Sequence, residues 1–229
     1  MEIAEALRRK EFIVFEGAQG CLLDVNHGTY PFVTSSNTLA GYACVSGGFG
    51  PKQVDLVLGI CKAYATRVGS GPFPTEDAGA AGARLREIGK EFGTVTGRPR
   101  RCGWFDVMAV RKAIRLNGIE ALIITKLDVL SGFEKIRIGT SYTLDGRAID
   151  DLPGCAQNME RVIAGYEEVD GWNESIGSAR SFEVLPQAAQ RFLRRIENLV
   201  ECKIGGFSIG PEREQTIILD ERLRSFARM

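Results

Sequence analysis

The sequence has little of the residue chemistry that zinc sites and disulfide-stabilised proteins need. It contains one histidine, His27, and its six cysteines are scattered with no C-x-x-C pair. Zinc sites combine closely spaced cysteines and histidines, while disulfide frameworks belong to secreted chains that carry a signal peptide. Without such a pattern, we expect no metal site in this chain and a cytoplasmic protein with reduced thiols. The cysteines are Cys21, Cys44, Cys61, Cys102, Cys155 and Cys202.

An excess of charge of one sign and long apolar runs are also lacking. Lys plus Arg and Asp plus Glu number 29 each, so the formal net charge is zero. A neutral chain has no broad positive field of the kind that drives binding to nucleic acid or to anionic membranes. No stretch reaches the roughly 18 apolar residues of a membrane-spanning helix. We therefore expect no nucleic-acid or membrane partner, and any anionic ligand must be bound by a local site.

The apolar pattern predicts an α/β fold. The chain of 229 residues, 44% of them apolar, can bury a large core. Strands are predicted in "FIVFEGAQG" (12–20), in one long run after Pro51 within residues 51–68, in "EALII" (120–124), in a hairpin over 135–149, and on both sides of a turn in 202–219. Helices are predicted up to Lys10, over 104–118 and over 185–201. We expect a single α/β domain over 1–229, with a mixed sheet flanked by helices.

The stretch "TKLDVLSG" (125–132) follows the buried strand "EALII". Groups just beyond the carboxyl end of such a strand line the crevice where α/β proteins bind ligands. The Asp128 carboxylate can accept two hydrogen bonds from the N1 and amino hydrogens of guanine, while the Lys126 stem covers an apolar base face. The pattern matches the N/T-K-x-D guanine element of GTP-binding proteins. The alternative is a surface lysine and aspartate that cap an ordinary turn.

The loop "FGTVTGRPRRCGW" (92–104) combines hydroxyl, glycine and guanidinium donors. Arg98, Arg100 and Arg101 follow Thr94, Thr96 and Gly97 within a few residues. Arginine forks and glycine-turn amides bind carboxylate or phosphate, so the loop predicts an anion site. A solvated basic surface or a nucleic-acid patch is the alternative, and the zero net charge disfavours the nucleic-acid version.

Polar side chains in three other turns are weaker candidates. Gln19 could read a base or amide edge, Thr34 could hold a phosphate, and the turn at Ser208 to Gly210 could bring backbone close to a ligand. Each of them also fits an ordinary turn. His27 lies in the turn pattern "NHGTYP" without a partner for acid–base work, which indicates a structural role.

Six blocks in this order resemble the adenylosuccinate synthetase family. They are "FEGAQGCLLDVNHGTYPFVTSSNT", "GICKAYATRVGSGPFPTE", "EFGTVTGRPRRCGWFD", "TKLDVLSG", "LPQAAQRFLRRIE" and "FSIGPERE". The resemblance implies a part of a P-loop-like, GTP-dependent synthetase fold. In that family GTP phosphorylates the 6-oxygen of IMP, and the amino group of L-aspartate then displaces phosphate to give adenylosuccinate, with Mg²⁺ assisting. GTP is thus a co-substrate, and the reaction belongs to purine nucleotide biosynthesis.

The resemblance also implies roles for particular residues. IMP contacts are expected at Gln19, Thr34 and Arg98. Aspartate contacts are expected at Val68 and in the loop Thr94, Val95, Thr96, Gly97, Arg98, Pro99 and Arg100. GTP contacts are expected at Arg100, Lys126, Leu127, Asp128, Ser208, Ile209 and Gly210.

The sequence departs from the family pattern at its start. The glycine-rich phosphate loop, the catalytic aspartate and histidine, and most of the Mg²⁺ site precede the first matching block in that family, and nothing before "FIVFEGAQG" resembles them. The resemblance therefore implies a carboxy-terminal portion, with no catalytic or metal-binding residue assigned here. We expect the isolated chain to be inactive and to form a homodimer or associate with an amino-terminal half. A non-catalytic guanine-nucleotide-binding module is the alternative function.

Overall fold

A computed structural model describes residues 2–93 and 97–226. The helices are α1 (Glu2–Arg8), α2 (Tyr42–Gly47), α3 (Ala80–Ile88), α4 (Val107–Asn117), α5 (Ala156–Met159), α6 (Gln187–Val200) and α7 (Glu221–Phe226). The strands are β1 (Leu58–Lys62), β2 (Ala65–Arg67), β3 (Arg101–Gly103), β4 (Phe105–Asp106), β5 (Ala121–Thr125), β6 (Lys135–Leu144), β7 (Arg147–Ile149), β8 (Val162–Asp170), β9 (Lys203–Ser208) and β10 (Thr216–Ile218). The predicted α/β class, with mixed sheets flanked by helices, is confirmed.

The sheet that positions the candidate site has the order β1-β5-β9-β10. Strands β1, β5 and β9 run parallel, and β10 is antiparallel to β9. In this register Lys62 lies opposite Thr125, and Ile124 lies opposite Phe207. The carboxyl ends of the three parallel strands therefore meet at one edge of the sheet, where α/β proteins place ligands.

Apolar burial holds helices against this sheet. The first four residues of β5, "ALII", are all buried, as expected for a central parallel strand. One face of α6 is buried through Ala189, Phe192, Leu193, Ile196 and Val200, which follow helical spacing. These side chains and the β5 residues Leu122 and Ile124 belong to the same core cluster.

Helix α4 begins and ends at clear local signals. The Asp106 side chain accepts a hydrogen bond from the Ala109 amide at 3.0 Å, which makes Asp106 the N-cap. Gly118 ends the helix in the left-handed conformation, with φ of 64°, as predicted from the sequence. The helix thus delivers the chain directly into β5.

A second sheet contains β4, β6, β7 and β8. Strand β6 pairs with β4 in parallel and with β7 and β8 in antiparallel fashion. The predicted hairpin at Asp145 and Gly146 is confirmed, since β6 and β7 flank this turn. Strands β2 and β3 form a separate antiparallel pair.

Two predicted strands were wrong. Residues 11–18 form neither helix nor strand, although "FIVF" has strand-like composition. The run after Pro51 is also not one strand, because a bend at Ala63 and Tyr64 divides it into β1 and β2, which join different sheets. Strand propensity depends on finding a hydrogen-bonded neighbour, and apolar letters alone do not supply one.

No helix in the described ranges is both long and apolar enough to cross a membrane.

Candidate functional site

The turn after β5 and the last residue of β9 meet at the carboxyl edge of the parallel strands. Lys126 directly follows β5 with left-handed backbone angles, φ of 60° and ψ of 36°, and a 3₁₀ turn spans Leu127–Leu130. The Lys126 amide donates to Ser208 Oγ at 3.1 Å. The structure thus brings together two segments that lie about 80 residues apart in sequence and that the sequence singled out separately.

A cavity of about 350 Å³ opens beside these turns. It is lined by Asp128, Ser131, Gly132, Asn173, Ser175, Ile176, Gly177 and Ile209. Asp128 and Ile209 were expected here from the sequence. The segment 173–177 was not, although its Asn, Ser and Gly content after β8 is typical of a ligand-contacting loop. Trp172 anchors this segment, because its indole N–H donates to Ser131 Oγ at 2.9 Å.

Asp128, which lines this cavity, has a carboxylate oxygen that no donor in the described ranges satisfies. Its Oδ1 atom is buried and has no hydrogen-bond partner within the described part of the chain. Burial raises the pKa of the Asp128 carboxyl, and a backbone hydrogen bond and the Lys126 charge oppose this only in part. A buried acceptor without a donor is uncommon in folded proteins and is suited to a ligand that supplies N–H groups.

Packing and hydrogen bonds hold the other predicted GTP contacts near the cavity. The Leu127 side chain is fully buried in the core. The Ile209 amide donates to the Gln215 carbonyl at 3.0 Å, and Gln215 Oε1 accepts from the Glu212 amide at 3.1 Å. These bonds hold the turn that begins at Ser208 and includes Gly210.

A buried carboxylate, Glu91, lies behind this edge and was not singled out by the sequence. Its Oε1 accepts hydrogen bonds from Lys62 Nζ at 2.8 Å, Tyr64 Oη at 2.6 Å and Lys126 Nζ at 3.0 Å. Its Oε2 accepts from Arg100 Nη1 at 2.7 Å. Burial by itself would raise the pKa of Glu91, but the hydrogen bonds from Lys62, Tyr64 and Lys126 outweigh it and lower the pKa to about 2.

The three arginines of the predicted anion loop face different surroundings. Arg98 is exposed, and its carbonyl accepts from the Gly93 amide at 2.8 Å. Arg100 turns inward to Glu91, whereas Arg101 pairs with Glu76 and donates to the carbonyls of Gly69 and Gly71. Arg100 and Arg101 thus pair with different carboxylates and do not form one shared anion site with the exposed Arg98.

The rest of this loop is partly described. Thr94, Val95 and Thr96 lie outside the described residues. Gly97 and Pro99 are exposed, and Pro99 forms an isolated antiparallel bridge with Phe92. Val68 is exposed directly after β2.

Gln19 and Thr34 lie in contact. Gln19 Nε2 donates to Thr34 Oγ1 at 3.1 Å, and Gln19 Oε1 accepts from Ser36 Oγ at 3.2 Å. Gln19 has a positive φ of 65°, which turns the chain sharply at this point. Two expected IMP contacts thus form one polar surface, which Ser36 extends.

Asp24 orders the loop that carries Thr34. This fully buried carboxylate accepts from the backbone amides of Asn26, His27 and Thr38 at 2.9, 3.0 and 2.7 Å. Burial opposes its ionisation, but these amides lower the pKa of Asp24. His27 is exposed in the turn that the sequence predicted.

Arg67 connects the same loop to β2. Its Nη2 donates to Thr29 Oγ1 at 2.9 Å and to the Phe32 carbonyl at 3.1 Å, and the side chain is buried. This contact ties the segment that precedes Thr34 to the strand that ends next to Val68.

Residues 2–93 and 97–226 contain few grouped metal-ligating side chains. In these ranges no three His, Cys, Asp or Glu side chains are grouped so that they could hold a metal ion. These ranges therefore offer no metal site built from protein side chains alone, and no chemical step is assigned to a metal held by these residues.

The family model for adenylosuccinate synthetase matches residues 1–217. The chain belongs to the adenylosuccinate synthetase family. The family enzyme of Pelobacter propionicus is 56% identical over 207 residues, which cover 90% of this chain and 48% of that protein. The Geobacter sulfurreducens enzyme is 55% identical with the same coverage. The chain thus spans about half the length of the curated relatives it matches.

A solved structure supports the same assignment of the family fold. The structure of fully ligated adenylosuccinate synthetase from Plasmodium falciparum matches with a TM-score of 0.93 and 36% identity. The match covers 96% of this chain and 53% of that one. The resemblance drawn from six sequence blocks is confirmed at the level of the family and its fold.

Proposed function

We propose that this chain supplies the guanine, IMP and aspartate recognition of adenylosuccinate synthetase in purine nucleotide biosynthesis. The reaction is the GTP-dependent ligation of IMP and L-aspartate to adenylosuccinate. The observation that carries the proposal is the buried Asp128 Oδ1, which has no partner within the described residues and belongs to a residue that lines the cavity beside the carboxyl ends of the parallel strands. Guanine offers two adjacent N–H donors to a carboxylate, whereas adenine does not.

The proposed guanine site combines three features. Asp128 accepts from the N1 and amino groups of the base, the Lys126 stem covers one base face, and Ile209 closes the cavity as an apolar wall. Ser208 holds the Lys126 backbone in place through its hydroxyl. Leu127, Gly210 and Arg100 complete the proposed GTP contacts, with Leu127 acting through its backbone.

IMP and aspartate, the other two substrates, are assigned to the Gln19–Thr34 surface and to the anion loop. Gln19 and Thr34 bind IMP, and Arg98 contacts both IMP and aspartate. The loop of residues 94–100 and Val68 surrounds the aspartate carboxylates, for which guanidinium forks and turn amides are suitable donors. The proposal includes Mg²⁺ bound mainly outside this chain.

The proposal also includes the compartment, the assembly state and the domain organisation of the chain. We infer a cytoplasmic enzyme that is homodimeric or associates with an amino-terminal half, and a single α/β domain over residues 1–229. The exposed outer strand β1, with Ile60 68% exposed, supports association through that side.

Calorimetric titration with GDP and ADP tests the guanine assignment. We expect the unaltered chain to prefer GDP, and Asp128→Asn to weaken GDP binding by roughly tenfold or more, since a hydrogen bond to a charged group contributes about 1.5–3 kcal/mol. IMP binding should remain unchanged. Asp145→Asn is the matched control, because Asp145 lies in the exposed hairpin turn between β6 and β7 and does not line the cavity. Equal GDP affinity in the Asp128 variant and the control would contradict the assignment.

A further inference from the structure

Glu91 joins the two predicted binding elements to one carboxylate. Lys126 belongs to the guanine element, and Arg100 belongs to the predicted anion loop (92–104), called the arginine loop below. Both donate to Glu91, at 3.0 and 2.7 Å. Lys62 at the end of β1 and Tyr64 donate to the same group. We propose that Glu91 is a positioning residue that couples guanine binding to the arginine loop; this inference rests on the proposed function.

Both partners are held at more than one point. Arg100 donates its side chain to Glu91 Oε2, and its backbone amide donates to the Glu91 carbonyl at 2.9 Å. The Lys126 ammonium donates to the Gly89 carbonyl as well as to Glu91 Oε1. The segment 89–91 therefore fixes where the Lys126 head lies, and hence how its stem is presented beside Asp128.

The charge balance makes Glu91 the centre of the arrangement. Its side chain is completely buried, with 0% exposure, while Lys62, Arg100 and Lys126 retain 25%, 27% and 37%. Three cations converge on a single anion, so without the carboxylate they would repel one another. The two predicted ligand contacts, Lys126 and Arg100, would then shift together.

A ligand that displaces one partner also alters the other. If GTP draws Arg100 toward the nucleotide, Glu91 loses a donor on Oε2 and its contacts on Oε1 are strengthened. The shared carboxylate thus gives a physical route by which occupancy of the guanine site changes the position of the loop assigned to aspartate. A purely structural Glu91 would stabilise the chain without any such selective effect.

Glu91→Gln in the 229-residue chain tests the inference, with GDP and IMP titrated into the same preparations. We expect GDP affinity to fall by about tenfold and IMP affinity to stay within about twofold, because Gln19 and Thr34 hold each other. Glu91→Asp keeps the carboxylate and should recover part of the GDP affinity. Glu76→Gln is the matched control: it breaks the pair with Arg101, which has no assigned ligand, and should leave both affinities within about twofold.

The outcomes separate the inference from the function on which it rests. An unaltered chain that binds GDP no better than ADP overturns the proposed function. An unaltered chain that prefers GDP, together with unchanged GDP affinity in Glu91→Gln or equal losses of GDP and IMP affinity, overturns the positioning role alone. If circular dichroism shows that Glu91→Gln is unfolded, GDP is titrated into the Tyr64→Phe variant instead. This substitution removes one hydrogen bond to Glu91 and leaves the ring in place, and unchanged GDP affinity there overturns the inference.

Discussion

Acid should remove the stabilisation that the ionised Glu91 carboxylate provides. The free energy that is lost follows from the lowered pKa of Glu91. The folded chain holds the pKa of Glu91 at about 2, against an ordinary value of 4.5. At about 1.4 kcal/mol for each pH unit, this difference corresponds to roughly 3 kcal/mol of folding free energy near neutral pH. Because the folded pKa is the lower one, the stabilisation is complete above about 4.5 and is lost as the pH falls through about 2. About 2 kcal/mol should be gone at about pH 3.

Other carboxylates also titrate in this range, so the comparison must be with Glu91→Gln. Urea unfolding followed by circular dichroism would give the free energy of unfolding of both proteins at about pH 7 and about pH 3. We expect the difference between them to shrink by about 2 kcal/mol on acidification, because the variant has no carboxylate to protonate at this position. A difference that stays the same at both pH values would refute the assigned ionisation of Glu91.

Three further predictions concern binding and turnover. GDP affinity should be constant above the raised pKa of Asp128 and should fall by up to about tenfold per pH unit below it, because guanine donors bind the ionised carboxylate. Calorimetry over pH should find this dependence, and Asp128→Asn should lack it. In a full-length enzyme that joins this chain to the remaining half of the Pelobacter propionicus relative, Arg98→Lys should raise the KM for aspartate at least tenfold, since an ammonium cannot replace a bidentate fork. Steady-state kinetics with varied aspartate would measure it, and an unchanged KM would assign Arg98 to the surface only. The 229-residue chain alone should form no adenylosuccinate from saturating GTP, IMP, aspartate and Mg²⁺, because phosphoryl transfer needs a phosphate cradle and metal. Product detected by chromatography that co-purifies with the chain would contradict this.

Local signals were sufficient for several elements. Helix α4 was predictable because its apolar spacing ends at Gly118, and β5 was predictable because "ALII" is an uninterrupted apolar run between polar residues. The Asp145-Gly146 turn carries its own conformational preference. These features depend on residues close in sequence, so the sequence predicts them well.

Features that depend on distant partners were not predictable in this way. "FIVF" has strand composition, yet Val14 and Phe15 are exposed and the segment joins no sheet within the described residues. At the bend, the Tyr64 hydroxyl donates to Glu91, 27 residues away in sequence. Glu91 itself, in "GKEFG", carries no local sign of its role. Its partners converge only after β1 and β5 pair.

The candidate site also combines residues that the sequence pointed to with residues that it did not. Lys126 and Asp128 could be proposed from the sequence because guanine elements are short and contiguous. The cavity wall at 173–177 was not, since those residues reach the site from the far end of β8.

The left-handed backbone at Lys126 limits which residues evolution can place there. With φ of 60° and ψ of 36°, a β-branched residue is strained, and proline is excluded because its ring fixes φ near about −65°. Glycine and asparagine accept the backbone, but neither has a stem long enough to reach the Gly89 carbonyl or to fill the role proposed for Lys126. The choice of residue at position 126 is thus limited twice, once by the backbone conformation and once by the required length of the side chain. Sequence drift should be slower at Lys126 than at Ser131, which lines the same cavity from an ordinary extended backbone.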